Sequence, residues 1–153
     1  MVISFTKVKL PNGWFGNMSP HPIVYNGQEW RTAEALFQSL RFSDSNIKEK
    51  IRAEKSPMGA KMVAKANEDR MTVVPISEED IKNMEMVCQL KIDQHPELRH
   101  LLKETGDQLI VEDITKRASG GRHSFWGAAW NGSEWIGNNA LGKIWMKIRN
   151  EVK

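Results

Sequence analysis

Apolar and polar residues alternate with two different periods in the first part of the chain. From Val2 to Leu10 the residues are β-branched and aromatic enough for a strand, which Pro11-Asn12-Gly13 ends with turn chemistry. Ile23-Val24-Tyr25 and Gln28-Glu29-Trp30 flank Asn26-Gly27, a pair that tolerates the positive φ angles of a type I′ turn, so the segment reads as a hairpin. The period then lengthens to 3.6. Ala33, Leu36, Phe37 and Leu40 form one apolar stripe of a helix over 32–42, whose first amides Thr32 can cap. Glu34, Gln38 and Arg41 form a second stripe about a quarter turn away.

Helical spacing dominates the middle of the chain. A short helix from about Ser45 to Lys55 stops at Ser56-Pro57, which opens another with Ser56 as cap and Pro57 in the first helical position, fading near Asn67. Residues 68–76 are polar and then extended, because Val74 precedes a proline. Ser77-Glu78-Glu79-Asp80 starts a longer helix with acidic groups at its positive end, carried on by Ile81, Met84, Val87, Cys88 and Ile92. Pro96 begins the next helix, which a cap near Gly106 closes. Leu109-Ile110-Val111 is expected to be a strand, and a last helix from Asn138 or Asn139 packs through Leu141, Ile144, Trp145 and Ile148. The fold class expected is α+β, helix-dominated, with a small, mostly antiparallel sheet. The 153 residues are enough for one domain, 1–153, and too few for two of ordinary size.

Composition narrows the function classes. With 27% charged and 40% hydrophobic residues, neither a disordered nor a membrane chain is suggested, and no apolar run approaches the roughly 18 residues of a membrane span. The N-terminus lacks the layout of a secretory signal, and a lone Cys88 excludes an intrachain disulfide; a cytoplasmic protein is expected. A net charge of +3, without a block of like charges, gives little support to a general nucleic-acid binder. The four histidines have no metal-ligand spacing, and nucleotide-loop and serine-elbow motifs are missing, so no metal or cofactor is expected.

Three loop segments and the polar stripe could carry chemistry. Asn17, after Gly13-Trp14-Phe15-Gly16, suits a base edge or a ribose hydroxyl, or a turn bonded to its own backbone. The basic stretch from Lys116 to His123, with Arg122, suits phosphate or is a solvated loop. From Ser124 to Gly142, aromatics alternate with glycines and end in the pair Asn138-Asn139. Such a segment can stack a base on an indole and hold an anion at a helix start, or can simply pack as a Trp-rich hairpin, Trp130 to Trp135. On the 32–42 helix, Glu34, Gln38 and Arg41 place a carboxylate, an amide and a guanidinium in a row at the border of the core. That row is a catalytic acid beside a ligand clamp, or a solvated face whose Glu34 complements the helix dipole.

Together these segments resemble the NADAR family, the YbiA-like N-glycosidases. The resemblance rests on Phe15-x-Asn17, Pro22 to Gly27, Thr32-x-Glu34-x-x-Phe37-Gln38-x-x-Arg41-Phe42, Ser56-Pro57-x-x-Ala60-Lys61, Gln94-His95-x-Glu97-Leu98, Phe125-Trp126-Gly127, and Asn138-x-x-Leu141-Gly142 with Met146-x-x-Arg149 after it. It implies hydrolysis of an N-glycosidic bond on a phosphorylated ribose. The substrate would be an aminouracil intermediate of riboflavin synthesis, or an ADP-ribose or NAD derivative such as ADP-ribosylated guanine in nucleic acid. Glu34 would be the catalytic carboxylate. Phe15, Asn17, Gln38, Arg41, Lys61, Arg122, Trp126, Gly127, Asn138 and Asn139 would bind substrate. The chain departs from the family where an aspartate usually follows Trp-Gly, here Ala128, and where His123 replaces an acid. Glu134 or His123 then becomes the candidate for the second acid–base role. The departure also motivates an alternative, a non-catalytic ADP-ribose- or NAD-binding module.

Overall fold

Residues 1–117 and 122–152 are described by the structure, a computed structural model. By its contacts the chain forms two compact units, Asn17–His95 and the pairing of Met1–Gly16 with Pro96–Lys153. The helix-dominated α+β class holds, and no described helix is long and apolar enough to cross a membrane.

In chain order the strands and helices are β1 (Val2–Phe5), β2 (Ile23–Tyr25), β3 (Gln28–Trp30), α1 (Ala33–Ser39), α2 (Ser45–Ala53), α3 (Pro57–Ala66), α4 (Glu78–Gln94), α5 (Pro96–Glu104), β4 (Leu109–Glu112), α6 (Arg122–Trp126), β5 (Ala129–Trp130), β6 (Trp135–Ile136) and α7 (Ala140–Glu151).

In the Asn17–His95 unit, local sequence signals decide where elements begin. Asn26 and Gly27 take φ angles of 50° and 76°, the turn that closes the β2–β3 hairpin with Tyr25 opposite Gln28. Side-chain oxygens of Thr32, Asp44, Ser56 and Ser77 each accept an early amide of α1, α2, α3 and α4, respectively. The loop from Asn17 to Val24 is then fastened along α4. Asn17 Nδ2 donates to Met84 Sδ, Lys91 Nζ to Ser19 Oγ and His95 Nε2 to Pro22 O, and the Gln94 amide pairs with both backbone groups of Val24.

In the other unit, β1 is shorter than its composition suggests. It pairs with β4 only from Val2–Leu109 to Phe5–Glu112, and turns at Lys7–Leu10 and Leu10–Gly13 take over beyond it. That pairing is parallel, whereas β2–β3 and β5–β6 are antiparallel. Parallel strands need a long crossover, and here the partner lies 107 positions away, beyond the reach of local pattern. The core is aromatic. Fully buried Trp145 donates its indole N–H to the Phe15 carbonyl at 3.0 Å and meets the Phe15 ring edge-on at 5.5 Å.

Helix α7 lies against β4 with almost no side chain at the crossing. A Cβ at Gly142 would stand 2.2 Å from the Ile110 carbonyl oxygen. Asn139 completes the strand edge, its Nδ2 donating to Ile110 O at 2.8 Å and its Oδ1 accepting from Glu112 N at 3.0 Å. Helix propensity alone favours alanine over glycine by about 1 kcal/mol. Contact overrides it here: Gly142→Ala is expected to lower unfolding free energy by about 1–3 kcal/mol in urea denaturation, the scale of an overpacked core. A stabilised variant would contradict the close approach.

Candidate functional site

Helix α1 begins where Thr32 Oγ1 accepts from Ala35 N and the Asn17 carbonyl accepts from Glu34 N at 2.9 Å. Glu34 therefore sits in the first turn, directly on the Asn17 backbone. Along the same face, Gln38 Nε2 donates to Glu34 Oε2 at 2.7 Å, and Arg41 Nη1 donates to Gln38 Oε1 across a longer 3.4 Å. Arg41 forms a fork onto Asp80 of α4, Nε to Oδ1 at 2.9 Å and Nη2 to Oδ2 at 2.7 Å. Its guanidinium carbon lies 4.7 Å from the centre of the Phe37 ring.

This row is not a solvated helix face. Gln38 is 5% exposed, Arg41 6% and Asp80 not at all, while Leu40 of the apolar stripe is less buried than either Gln38 or Arg41. Periodicity separates two faces of a helix but cannot say that both are covered. The expectation that Arg41 clamps a ligand meets a guanidinium already engaged by the protein's own carboxylate, which is what a buried cation requires.

Asn17 is not a turn residue bonded to its own backbone. The residue is 9% exposed, its Nδ2 points at Met84 Sδ 3.0 Å away, and among the described residues its buried Oδ1 has no hydrogen-bond partner. Turning the amide over would set Oδ1 against the thioether sulfur, two acceptors facing each other. Two residues on, Ser19 Oγ receives the Lys91 ammonium at 2.7 Å and lies 2.9 Å from His21 Nδ1, and the His21 ring meets the His95 ring edge-on. Lys91 has no exposed surface. Burial pushes its ammonium down from 10.5 to about 8, with the Cys88 side chain acting in the opposite direction. Lys61, the other basic residue expected here, is half-buried on α3.

The remaining expected residues fall in the other unit. The Phe15 ring, expected to bind substrate, is wholly buried against Trp14, Phe5 and Trp145. Both ends of the Asn139 side-chain amide, another expected ligand contact, are engaged by β4. Gly127 serves close packing, because a Cβ there would stand 2.6 Å from the Glu112 carbonyl oxygen. Trp126 is half-buried at the end of α6 with its ring edge-on to Phe125, and Asn138 is exposed, its backbone N–H donating to Ser124 O. Glu134 lies at the exposed turn of the β5–β6 hairpin, where Asn131 Oδ1 accepts its backbone amide. Arg122 and His123 open α6, and their side chains lie outside the described residues, as do positions 118–121 of the basic loop. Ala128 is buried, bridged in parallel to Asp113.

A family model for the NADAR domain matches residues 4–153. The chain belongs to the NADAR family. It is 32% identical over 153 residues to N-glycosidase YbiA of Escherichia coli K12, covering 99% of this chain and 88% of that protein. An N-glycosidase of Nostoc punctiforme is 30% identical over 159 residues, covering all of this chain and 94% of its own. A riboflavin biosynthesis protein of Vibrio vulnificus is 28% identical over 144 residues, which is 93% of this chain but 36% of that longer protein. The NMR structure of E. coli YbiA superposes with a TM-score of 0.80 at 29% identity, covering 98% of this chain and 83% of the other.

In this NADAR chain the structure brings together four of the expected residues, Asn17, Glu34, Gln38 and Arg41. Two buried charges beside them, Asp80 and Lys91, were not singled out from the sequence. Asp80 reads as a helix-start acid. The available signal was Lys91 falling one residue before Ile92, within the buried stripe of α4. The depressed Lys91 ammonium carries a stability signature. Folded Lys91 binds its proton less tightly than in the unfolded chain, so between about pH 8 and 10.5 the unfolded state holds more protons and stability rises with pH. Measured against Lys91→Met in urea denaturation, the wild type is expected to gain about 3 kcal/mol across that window. A difference that stays flat or falls would contradict a buried, destabilised ammonium.

Proposed function

We propose that this protein hydrolyses the C1′–N bond of a base attached to a phosphorylated ribose, with Glu34 as the catalytic carboxylate. That it is an N-glycosidase accords with its family and with relatives that carry that name along nearly their whole length. The finer reading is the substrate: a riboflavin-pathway aminouracil intermediate, or an ADP-ribosylated guanine or NAD-derived compound. The Vibrio relative's name favours the first of these. The observation that carries the reading is Glu34 itself, a first-turn carboxylate held by an amide donor and seated on Asn17, whose buried Oδ1 has no hydrogen-bond partner among the described residues.

Cleaving a ribosyl C1′–N bond builds positive charge on the sugar ring as the base departs. An ionised carboxylate lowers that barrier by stabilising the charge or by taking a proton from the attacking water. The Gln38 amide donates to Glu34 Oε2 and holds the carboxylate in place. Asn17 Oδ1 accepts a donor from the ligand, a ribose hydroxyl or a base N–H. With alanine at 128, the family's second acid is missing from its usual place. An electron-poor base leaves without strong acid assistance, and Glu134 and His123 are the remaining acid candidates. The same alanine supports a second reading, an ADP-ribose- or NAD-binding module without turnover. A cytoplasmic location completes the proposal.

The test is to incubate the protein with aminouracil ribosyl phosphate, NAD, ADP-ribose and ADP-ribosylated DNA and to measure released base by chromatography. Glu34→Gln is expected to lower kcat by about 10²–10⁴-fold while leaving the thermal unfolding transition intact. Full hydrolysis by that variant sinks the role of Glu34. Tight ADP-ribose binding in calorimetry with no base released from any of the four compounds selects the binding module instead.

A further inference from the structure

We infer that Asp80 and Arg41 are positioning residues for Glu34, acting through Gln38; the inference rests on Glu34 being the catalytic carboxylate. The four side chains form an alternating electrostatic series. Asp80 is negative, Arg41 positive, and the Gln38 amide a dipole with its oxygen toward Arg41 and its nitrogen toward the Glu34 carboxylate. Gln38 has one orientation that satisfies both neighbours. Turned over, it would set its oxygen 2.7 Å from a carboxylate oxygen and its two N–H donors against a guanidinium, unfavourable at both ends. The long Arg41–Gln38 contact therefore matters for its sign more than for its strength. It decides that Glu34 faces a donor.

Arg41 can serve this way because Asp80 leaves it no freedom. The fork fixes the guanidinium in its plane, and the Phe37 ring supports one of its faces. Asp80 in turn is fully matched. Its two oxygens receive both Arg41 donors, and Oδ2 also accepts the Ile76 amide at 2.9 Å. Ile76 holds a φ of 68°, the left-handed region that a β-branched side chain avoids, and that conformation delivers its N–H to the buried carboxylate. Well-packed apolar side chains often replace a buried ion pair without loss of stability, so a pair that only fastened α1 to α4 could be exchanged with turnover unchanged.

That contrast supplies the test. The double replacement Arg41→Met/Asp80→Leu removes both charges together, and Gln38→Leu removes the link. The double variant is expected to unfold within a few degrees of the wild type yet lose about 10- to 100-fold in kcat on whichever of the four compounds the wild type cleaves, with KM little changed. Gln38→Leu should lose a similar factor, and the triple variant no more, because all three changes break one chain of contacts. Full kcat in the folded double variant, or losses that multiply in the triple, overturns the proposal. If the double variant fails to fold, Arg41→Lys replaces it: the positive charge facing Asp80 is kept while the fork and the donor to Gln38 are lost, so kcat should still fall, and full kcat in that variant overturns the proposal. A readout independent of turnover is the ¹⁵N-resolved side-chain amide of Gln38. Its two protons should be strongly inequivalent in the wild type, shift in Glu34→Gln, and collapse toward free-amide values when the Arg41–Asp80 pair is removed. An amide unmoved by that removal overturns the relay. A wild type that releases no base while the amide responds as expected overturns the catalytic reading instead.

Discussion

Burial of charge is the constraint on which the Asn17–His95 unit depends. A guanidinium, a carboxylate and an ammonium are all removed from water here, and each is tolerable only with a partner of matched geometry. The Arg41–Asp80 fork meets that need between α1 and α4, and it also settles secondary details. The unusual backbone at Ile76 places an N–H on Asp80, and the carbonyl of Arg41 accepts from both Thr72 and Val73, drawing that stretch onto the end of α1. Lys91 meets the same need differently, with a hydroxyl at the centre of a small histidine cluster, and its ammonium is correspondingly easier to deprotonate.

The other unit is governed by close approach rather than by charge. Helix α7 and the chain just after α6 come so near β4 that Gly142 and Gly127 leave no room for a side chain, and Asn139 uses its amide as a substitute strand edge. This explains how residues that look like ligand contacts in the sequence become structural. Glycine and asparagine suit a phosphate loop and a tight helix–strand crossing for the same reasons: little bulk, tolerance of positive φ, and donors and acceptors on a short stem. Phe15 belongs with them, an aromatic residue whose ring completes a core around Trp145.

The proposed catalytic role and the stability of the unit meet on α1. One face of this helix carries the carboxylate proposed to act on the substrate, and the polar neighbours that orient it are the residues that tie the helix to α4. A family member lacking the aspartate after Trp-Gly can retain such an arrangement, because none of its parts lies at position 128. The Asn17 carbonyl on the Glu34 amide adds a second constraint from the chain just ahead of the hairpin.

Local chemistry was legible in the amino-acid sequence wherever a signal acts within a few residues. The Asn26-Gly27 turn, the caps at Thr32, Ser56 and Ser77, the proline starts at Pro57 and Pro96, and the apolar stripes of α4 and α7 all arise from backbone geometry and short-range hydrogen bonds. The order of motifs was equally legible, and with it the family and Glu34 as the carboxylate to test. Tertiary structure alone decided the environment of each polar side chain. Arg41 and Asp80 stand 39 positions apart and Ser19 and Lys91 stand 72, and whether such groups meet or remain in water depends on which faces are covered by distant elements. Periodicity records that a residue is polar. Only packing determines whether that polarity is spent on solvent, on a ligand or on another side chain.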